Sequence, residues 1–252
     1  MDGPSSVIVP LYVYPSAGAW DPFHDVASSF PRIHFTVVIN VHNGPGEGAL
    51  PNAEYTAAIE ALNSLSNVRT IGYVATTWCT RDLSSVLDDI AAFSFWGEYD
   101  PSLALSGVFV DETPTQYSTD YAVYLDSITQ AVQDSAGLKD SFIVHNPGAL
   151  PEPAYFDEAL FNAPDLTVIF ENSFSNWTVE GGELFKVTDS YDREKLALLV
   201  HSTPDLTILE MASMLLQLLA LGRSIWMTAS SDYTDLDGVL PAFIEGVAAL
   251  LR

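Results

Sequence analysis

The sequence predicts a single-domain (β/α)8 barrel, and three observations predict it. Eight short apolar runs rich in β-branched residues recur through the 252-residue chain, helical patterns lie between them, and no Gly/Ser linker or change of composition divides the whole. With 48% hydrophobic residues the chain can fill one large core, so residues 1–252 read as one unit with 1–6 a disordered start. The rival fold, an open doubly wound sheet, would announce a Gly-rich phosphate loop after the first strand. The segment there reads YPSAGAWDPF, with neither G-x-G-x-x-G nor G-x-x-x-x-G-K.

The predicted strands are Val7–Tyr14, His34–Val41, Thr70–Ala75, Gly107–Asp111, Ser141–His145, Leu166–Phe170, Leu196–His201 and Ser224–Thr228. Each is nearly continuous in apolar character, as expected of parallel strands covered on both faces. Helical spacing follows in Asn52–Leu65, where Tyr55, Ile59 and Leu62 form one stripe behind Asn52 as N-cap. It recurs in Asp82–Phe95, Thr119–Ala136, Leu206–Leu221 and Val239–Leu251, with Gly222 as a C-terminal stop. Segment 174–194 fits worst: Gly181-Gly182 and few apolar repeats predict a short sixth helix or a loop.

Nine basic residues against 33 acidic ones give a net charge of −24. Such a surface repels nucleic acid and anionic membrane and attracts a cationic ligand. Cys79 is the lone cysteine, so no intrachain disulfide forms and the thiol reads as packed. No charged-then-apolar leader precedes Val7, and no apolar run reaches the roughly 18 residues of a spanning helix. The sequon Asn176-Trp177-Thr178 fits secretion, and the expectation is an extracellular or cell-surface monomer with no protein partner.

Barrels of this kind build their sites from the C-terminal ends of the strands. Here those ends collect Tyr12 and Tyr14, Asn43, Tyr73 and Trp78, Asp111 and Glu112, His145 and Asn146, Glu171 and Asn172, His201, and Trp226 and Tyr233. The strand starts carry no comparable set. Polar, aromatic and acidic groups at one rim suit a hydroxyl-rich ligand.

Two acids carry the chemistry. Asp111 and Glu171 end strands four and six, and glycosidic cleavage needs such a pair: one carboxyl protonates the leaving oxygen while the other attacks carbon or activates water. Asp111 and Glu112 are consecutive and point to opposite sides of an extended chain. Alternation groups Asp111 with Gly107 and Phe109, and Glu112 with Val108 and Val110; the sequence leaves open which group faces inward. His145 and His201 invite a metal reading, but strand one ends without H-x-H and strand six ends in Glu rather than His. No metal or cofactor is expected; sugar hydroxyls are assigned to both histidines as hydrogen-bond partners, with packing the stronger reading for His201. A serine nucleophile lacks its G-x-S-x-G elbow.

The stretches VIVPLYVYPSAGAWDPF, VVINVHNGPG, GVFVDETP and VIFENSF together resemble the spherulin-4-like proteins, the fungal and slime-mould family classed as glycoside hydrolase family 135. The resemblance runs from Val7 to the last helix, with Asn43-Gly44-Pro45-Gly46 a slight rearrangement of the family's motif. It implies an endo-acting α-1,4-galactosaminidase on a (β/α)8 barrel. The implied substrate is galactosaminogalactan, a polymer of galactose, N-acetylgalactosamine and galactosamine. The family's acidic trio falls on Asp111, Glu112 and Glu171; a related α-galactosaminidase family implies retention, with Asp111 as nucleophile and Glu171 as acid/base. A partly deacetylated galactosamine polymer is cationic, which gives the −24 charge a use.

Overall fold

In a computed structural model, residues 6–157, 159–188, 191–236 and 238–250 are described. Eight strands close into a parallel barrel in sequence order: β1 (Ser6–Leu11), β2 (His34–Ile39), β3 (Val68–Ala75), β4 (Gly107–Asp111), β5 (Phe142–Asn146), β6 (Leu166–Ser173), β7 (Leu196–His201) and β8 (Ser224–Met227). Ser6 already pairs with His34 and Ser224, so the unpatterned start ends one residue earlier than expected; residues 1–5 lie outside the described residues.

Around the barrel stand seven α-helices among the described residues: α1 (Asp21–Ser29), α2 (Ala53–Asn63), α3 (Leu83–Tyr99), α4 (Thr119–Gln133), α5 (Phe174–Val187), α6 (Ile208–Leu221) and α7 (Val239–Leu250). Asn52 caps α2 as its sequence predicts, its side chain accepting from the Tyr55 amide. α6 does stop before Gly222, but at φ −141° that glycine is extended and no left-handed cap forms.

One helix is placed differently from expectation. The segment after β6 is a full 14-residue helix, not a loop, and Ser173 caps it by accepting from the Asn176 amide. A side chain on Gly181 would stand 2.9 Å from the Trp177 indole, so the glycine that obscures the helix in sequence makes room for its largest buried ring. Among the described residues the β5–β6 connection is the one without an α-helix, and it holds a short 3₁₀ turn, Pro153–Phe156. The sequon lies in the first turn of α5, where the Asn176 amide nitrogen donates to Asn172 Oδ1 at 2.7 Å.

Inside and outside can be read from single contacts. A Cβ on Gly72 would meet the Phe93 ring of α3 at 2.6 Å, so Gly72 faces the helices and Tyr73 faces the bore. Tyr73 is in register with Phe109, and Phe109 with Val144, which carries the same face across β3, β4 and β5. Asp111 and Asn146 follow on that face at the rim. The opposite face packs on helices, as in the edge-to-face contact of Phe35 with Phe23 of α1.

Candidate active site

Register decides which acid enters the bore. Asp111 shares the face of Phe109 and points inward, and Glu112 turns away with φ +55°. Glu171 needs more than register. Leu166 and Val168 face the bore, so simple alternation would send residue 171 outward to the helices. A β-bulge interrupts β6 between Val168 and Phe170, leaving Ile169 as the extra residue. Beyond it Phe170 packs outward on Trp177 and Glu171 points in. The bulge therefore aims the second acid.

The two carboxylates meet at one amide. Asn146 Nδ2 donates to Asp111 Oδ1 at 2.7 Å and to Glu171 Oε2 at 2.5 Å, so those two oxygens stand no more than 5.2 Å apart. The amide cannot flip without loss, because its Oδ1 accepts from the Gly148 backbone at 3.0 Å. Asp111 also accepts from the Tyr73 hydroxyl at 2.7 Å and from the Glu112 amide at 2.8 Å. Glu171 accepts from the Tyr233 hydroxyl at 2.9 Å. Tyr12 fits edge-on between the two tyrosine rings, at 5.7 Å from Tyr73 and 5.8 Å from Tyr233.

The electrostatics follow from burial with few counter-charges. Burial pushes the Asp111 carboxyl up to about 6; the Tyr73 hydrogen bond works against this and the Glu171 charge adds to it. Burial first, then the neighbouring carboxylates, hold the hydroxyls of Tyr12, Tyr73 and Tyr233 well above the ordinary phenol range. All three remain donors at any working pH. Among the eight described lysines and arginines, only Arg81 sits at the rim, and it is paired with Asp89 at 2.6 Å. The other seven lie at the strand-start end.

The remaining predicted site residues divide. Tyr14 stands half exposed at the rim, its hydroxyl accepting from Asn52 at 3.0 Å. Asn43 is exposed on the loop after β2, and Trp78 is exposed after β3. His201 reaches the edge of the site against Tyr233, with Nδ1 beside Ser202 Oγ at 2.9 Å. His145 does not reach it: adjacent to inward Asn146, it faces outward, is 4% exposed against Phe161, and has no partner for Nε2. Burial drops its pKa to about 3, so it is a neutral packing residue. Trp226 likewise is core, 3% exposed and edge-on to Phe243 of α7. Asn172 turns from the bore and spends its oxygen on the Ser173 and Asn176 nitrogens at the start of α5. The described residues hold no cluster of three or more metal-binding side chains.

Backbone strain concentrates at this rim. Every non-glycine residue with positive φ among those described lies there: Asn43, Thr77, Trp78, Cys79, Glu112, Ser202 and Tyr233. Each costs roughly 1–2 kcal/mol, which a fold sustains where the geometry serves a site. Sequence reading missed both the bulge and the role of Asn146. The only available signal for the latter was an amide directly on the strand between the two acids.

Fold and site together define a class: a (β/α)8 barrel with paired carboxylates over its mouth. The chain belongs to the family described as Spherulation-specific family 4, whose model matches residues 6–247. Spherulin-4 of Physarum polycephalum is 27% identical over 224 residues, which is 87% of this chain but 62% of the length of that relative. Sph3 of Aspergillus clavatus, solved in complex with GalNAc, is 38% identical, with a TM-score of 0.89 over 98% of both chains. The GH18 chitinase ChiB of Flavobacterium johnsoniae superposes with a TM-score of 0.58 at 14% identity, a likeness of fold alone.

Proposed function

We propose that the protein is an endo-acting glycoside hydrolase that cuts α-1,4 linkages in galactosamine- and N-acetylgalactosamine-containing polysaccharide outside the cell, with retention of configuration. The observation that carries this reading is the shared Asn146 amide. A separation of at most 5.2 Å between the bridged oxygens suits retaining enzymes, whose carboxyls lie about 5–5.5 Å apart, and is too short for an inverting pair with water between. The GalNAc held by the Aspergillus relative supports an amino sugar as ligand. The concentration of lysine and arginine at the far end leaves the mouth acidic, which favours a cationic, partly deacetylated polymer.

In this reading Asp111 attacks the anomeric carbon as the bond to the leaving oxygen breaks, and Glu171 gives that oxygen its proton. Glu171 then takes a proton from water, the water oxygen bonds the same carbon, and the Asp111 ester is released as carboxylate. Three donors on Asp111 stabilise the carboxylate that must attack and be regenerated. The test is oligosaccharide release from partly deacetylated galactosaminogalactan, followed by mass. D111N and E171Q should each lower turnover by about 10³-fold or more. Tight binding of the polymer with no product from the wild type would instead make it a polysaccharide-binding protein on the same barrel.

A further inference from the structure

Glu112 is the odd member of the acidic trio. Its carboxylate reaches away from Glu171 to the loop after β3, where Oε2 accepts from the Thr77 amide at 3.2 Å. Its carbonyl accepts from the next amide, Trp78, at 2.7 Å. Thr76 Oγ1 donates to the carbonyls of both Asp111 and Glu112, at 2.9 Å each. Hung from these anchors, Thr77, Trp78 and Cys79 run consecutively at φ 50°, 53° and 59°. A left-handed run of three residues without glycine persists only where its surroundings over-determine it. At its tip the Trp78 side chain is 56% exposed, and among the described residues it makes no hydrogen bond or ring contact. A flat apolar surface is thus held out to solvent on a loop hydrogen-bonded to the end of β4.

We propose that Glu112 is a positioning residue rather than a third reacting carboxyl: it latches the left-handed turn and thereby sets Trp78 as a platform for a hexosamine ring of the polymer, beyond the bond being cut. This rests on the glycan-cleaving reading above. The C–H face of a hexosamine packs on an indole, and the ammonium of a deacetylated unit is drawn to the ring face. Because Thr76 ties the turn to the Asp111 carbonyl, the platform is also fixed relative to the nucleophile's strand.

The experiment compares kcat/KM on α-1,4-linked galactosamine oligosaccharides of increasing length for wild type, E112A, E112Q, W78A and E112A/W78A. Wild-type kcat/KM should climb with length until a sugar reaches Trp78. E112A and W78A should each lose about tenfold of that climb on long chains, and the double variant should be no worse than W78A. E112Q should recover most of what E112A loses, since its amide oxygen still accepts from Thr77. Loss of activity on the shortest substrate in both E112A and E112Q would make Glu112 a reacting group and overturn the proposal; so would a W78A variant with the full climb. A second readout does not need turnover. The other four tryptophans, Trp20, Trp96, Trp177 and Trp226, are at most 6% exposed, so sugar-induced quenching of indole fluorescence in D111N reports Trp78. That quenching should vanish in D111N/W78A, weaken in D111N/E112A and return in D111N/E112Q. Quenching of equal strength in all of them overturns the latch even if no variant, wild type included, cleaves anything.

Discussion

Asp111 and Glu171 hang on the two hydrogens of a single amide, so their charges and their spacing are set together. Replacing Asn146 changes both at once. N146A removes the spacer and should lower kcat by about 10²-fold, the loss expected when reacting groups drift by an ångström or so. N146D puts a third carboxylate between the pair. That disfavours ionisation of Asp111, so the acid limb of the kcat/KM–pH profile should move to higher pH. A limb unchanged in N146D would show that Asn146 does not couple the acids.

The wild-type profile follows from the same site. Asp111 must be ionised to attack, and burial raises its pKa to about 6, so kcat/KM should fall as pH drops through about 6. Tyr73 opposes that rise through its 2.7 Å hydrogen bond. Y73F should therefore shift the acid limb upward while leaving the alkaline side in place. If kcat/KM instead declines as pH rises through 6, Asp111 is the proton donor and the two roles are exchanged.

A buried carboxyl held above its ordinary range also costs stability once it is ionised. The unfolded chain releases the Asp111 proton near pH 4 and the folded one near 6, so the folded state binds more protons between those values. Stability is retained below about pH 4 and lost as pH rises through 6, by about 3 kcal/mol for two pH units. D111N removes the charge at nearly the same volume. Its Tm at pH 7–8 should exceed that of the wild type by several degrees, and the gap should close towards pH 4. Equal Tm values at pH 8 would mean that the three donors already compensate the carboxylate in full.

Much of this was legible in the sequence, because two-sided burial writes parallel strands as plain apolar runs. All eight runs became barrel strands, and listing their C-terminal ends found Asp111, Glu171, Tyr73 and Tyr233, which do converge. The same continuity hides facing. Leu166–Phe170 is apolar at nearly every position, so nothing in it signals that Ile169 is extra and that Glu171 points inward. His145 and Asn146 look alike as polar strand-end residues, yet one is buried behind the barrel and the other joins the acids. Trp226 is an aromatic near the rim in sequence and a core residue in space. Bulges and alternation are tertiary facts, settled by the neighbouring strands.

Gly148, which no strand pattern singles out, holds both halves of the acid pair in place. Its backbone N–H orients the Asn146 amide, and its carbonyl accepts from the Glu171 amide at 2.9 Å. One residue thus ties the bridge to the bulged strand. It sits at φ +69°, and a Cβ there would meet nothing within 4 Å, so G148A introduces no clash and tests the backbone conformation alone. The expected strain is about 1–2 kcal/mol, a fall in Tm of roughly 2–8 °C in a chain of this size. If the alanine relaxes that strain by shifting the peptide, both the Asn146 amide and Glu171 move with it. kcat should then fall by more than tenfold, out of proportion to the small loss of stability. Full activity in a variant with lowered Tm would mean that the acid pair is held by Tyr73, Tyr233 and the bulge without help from this turn.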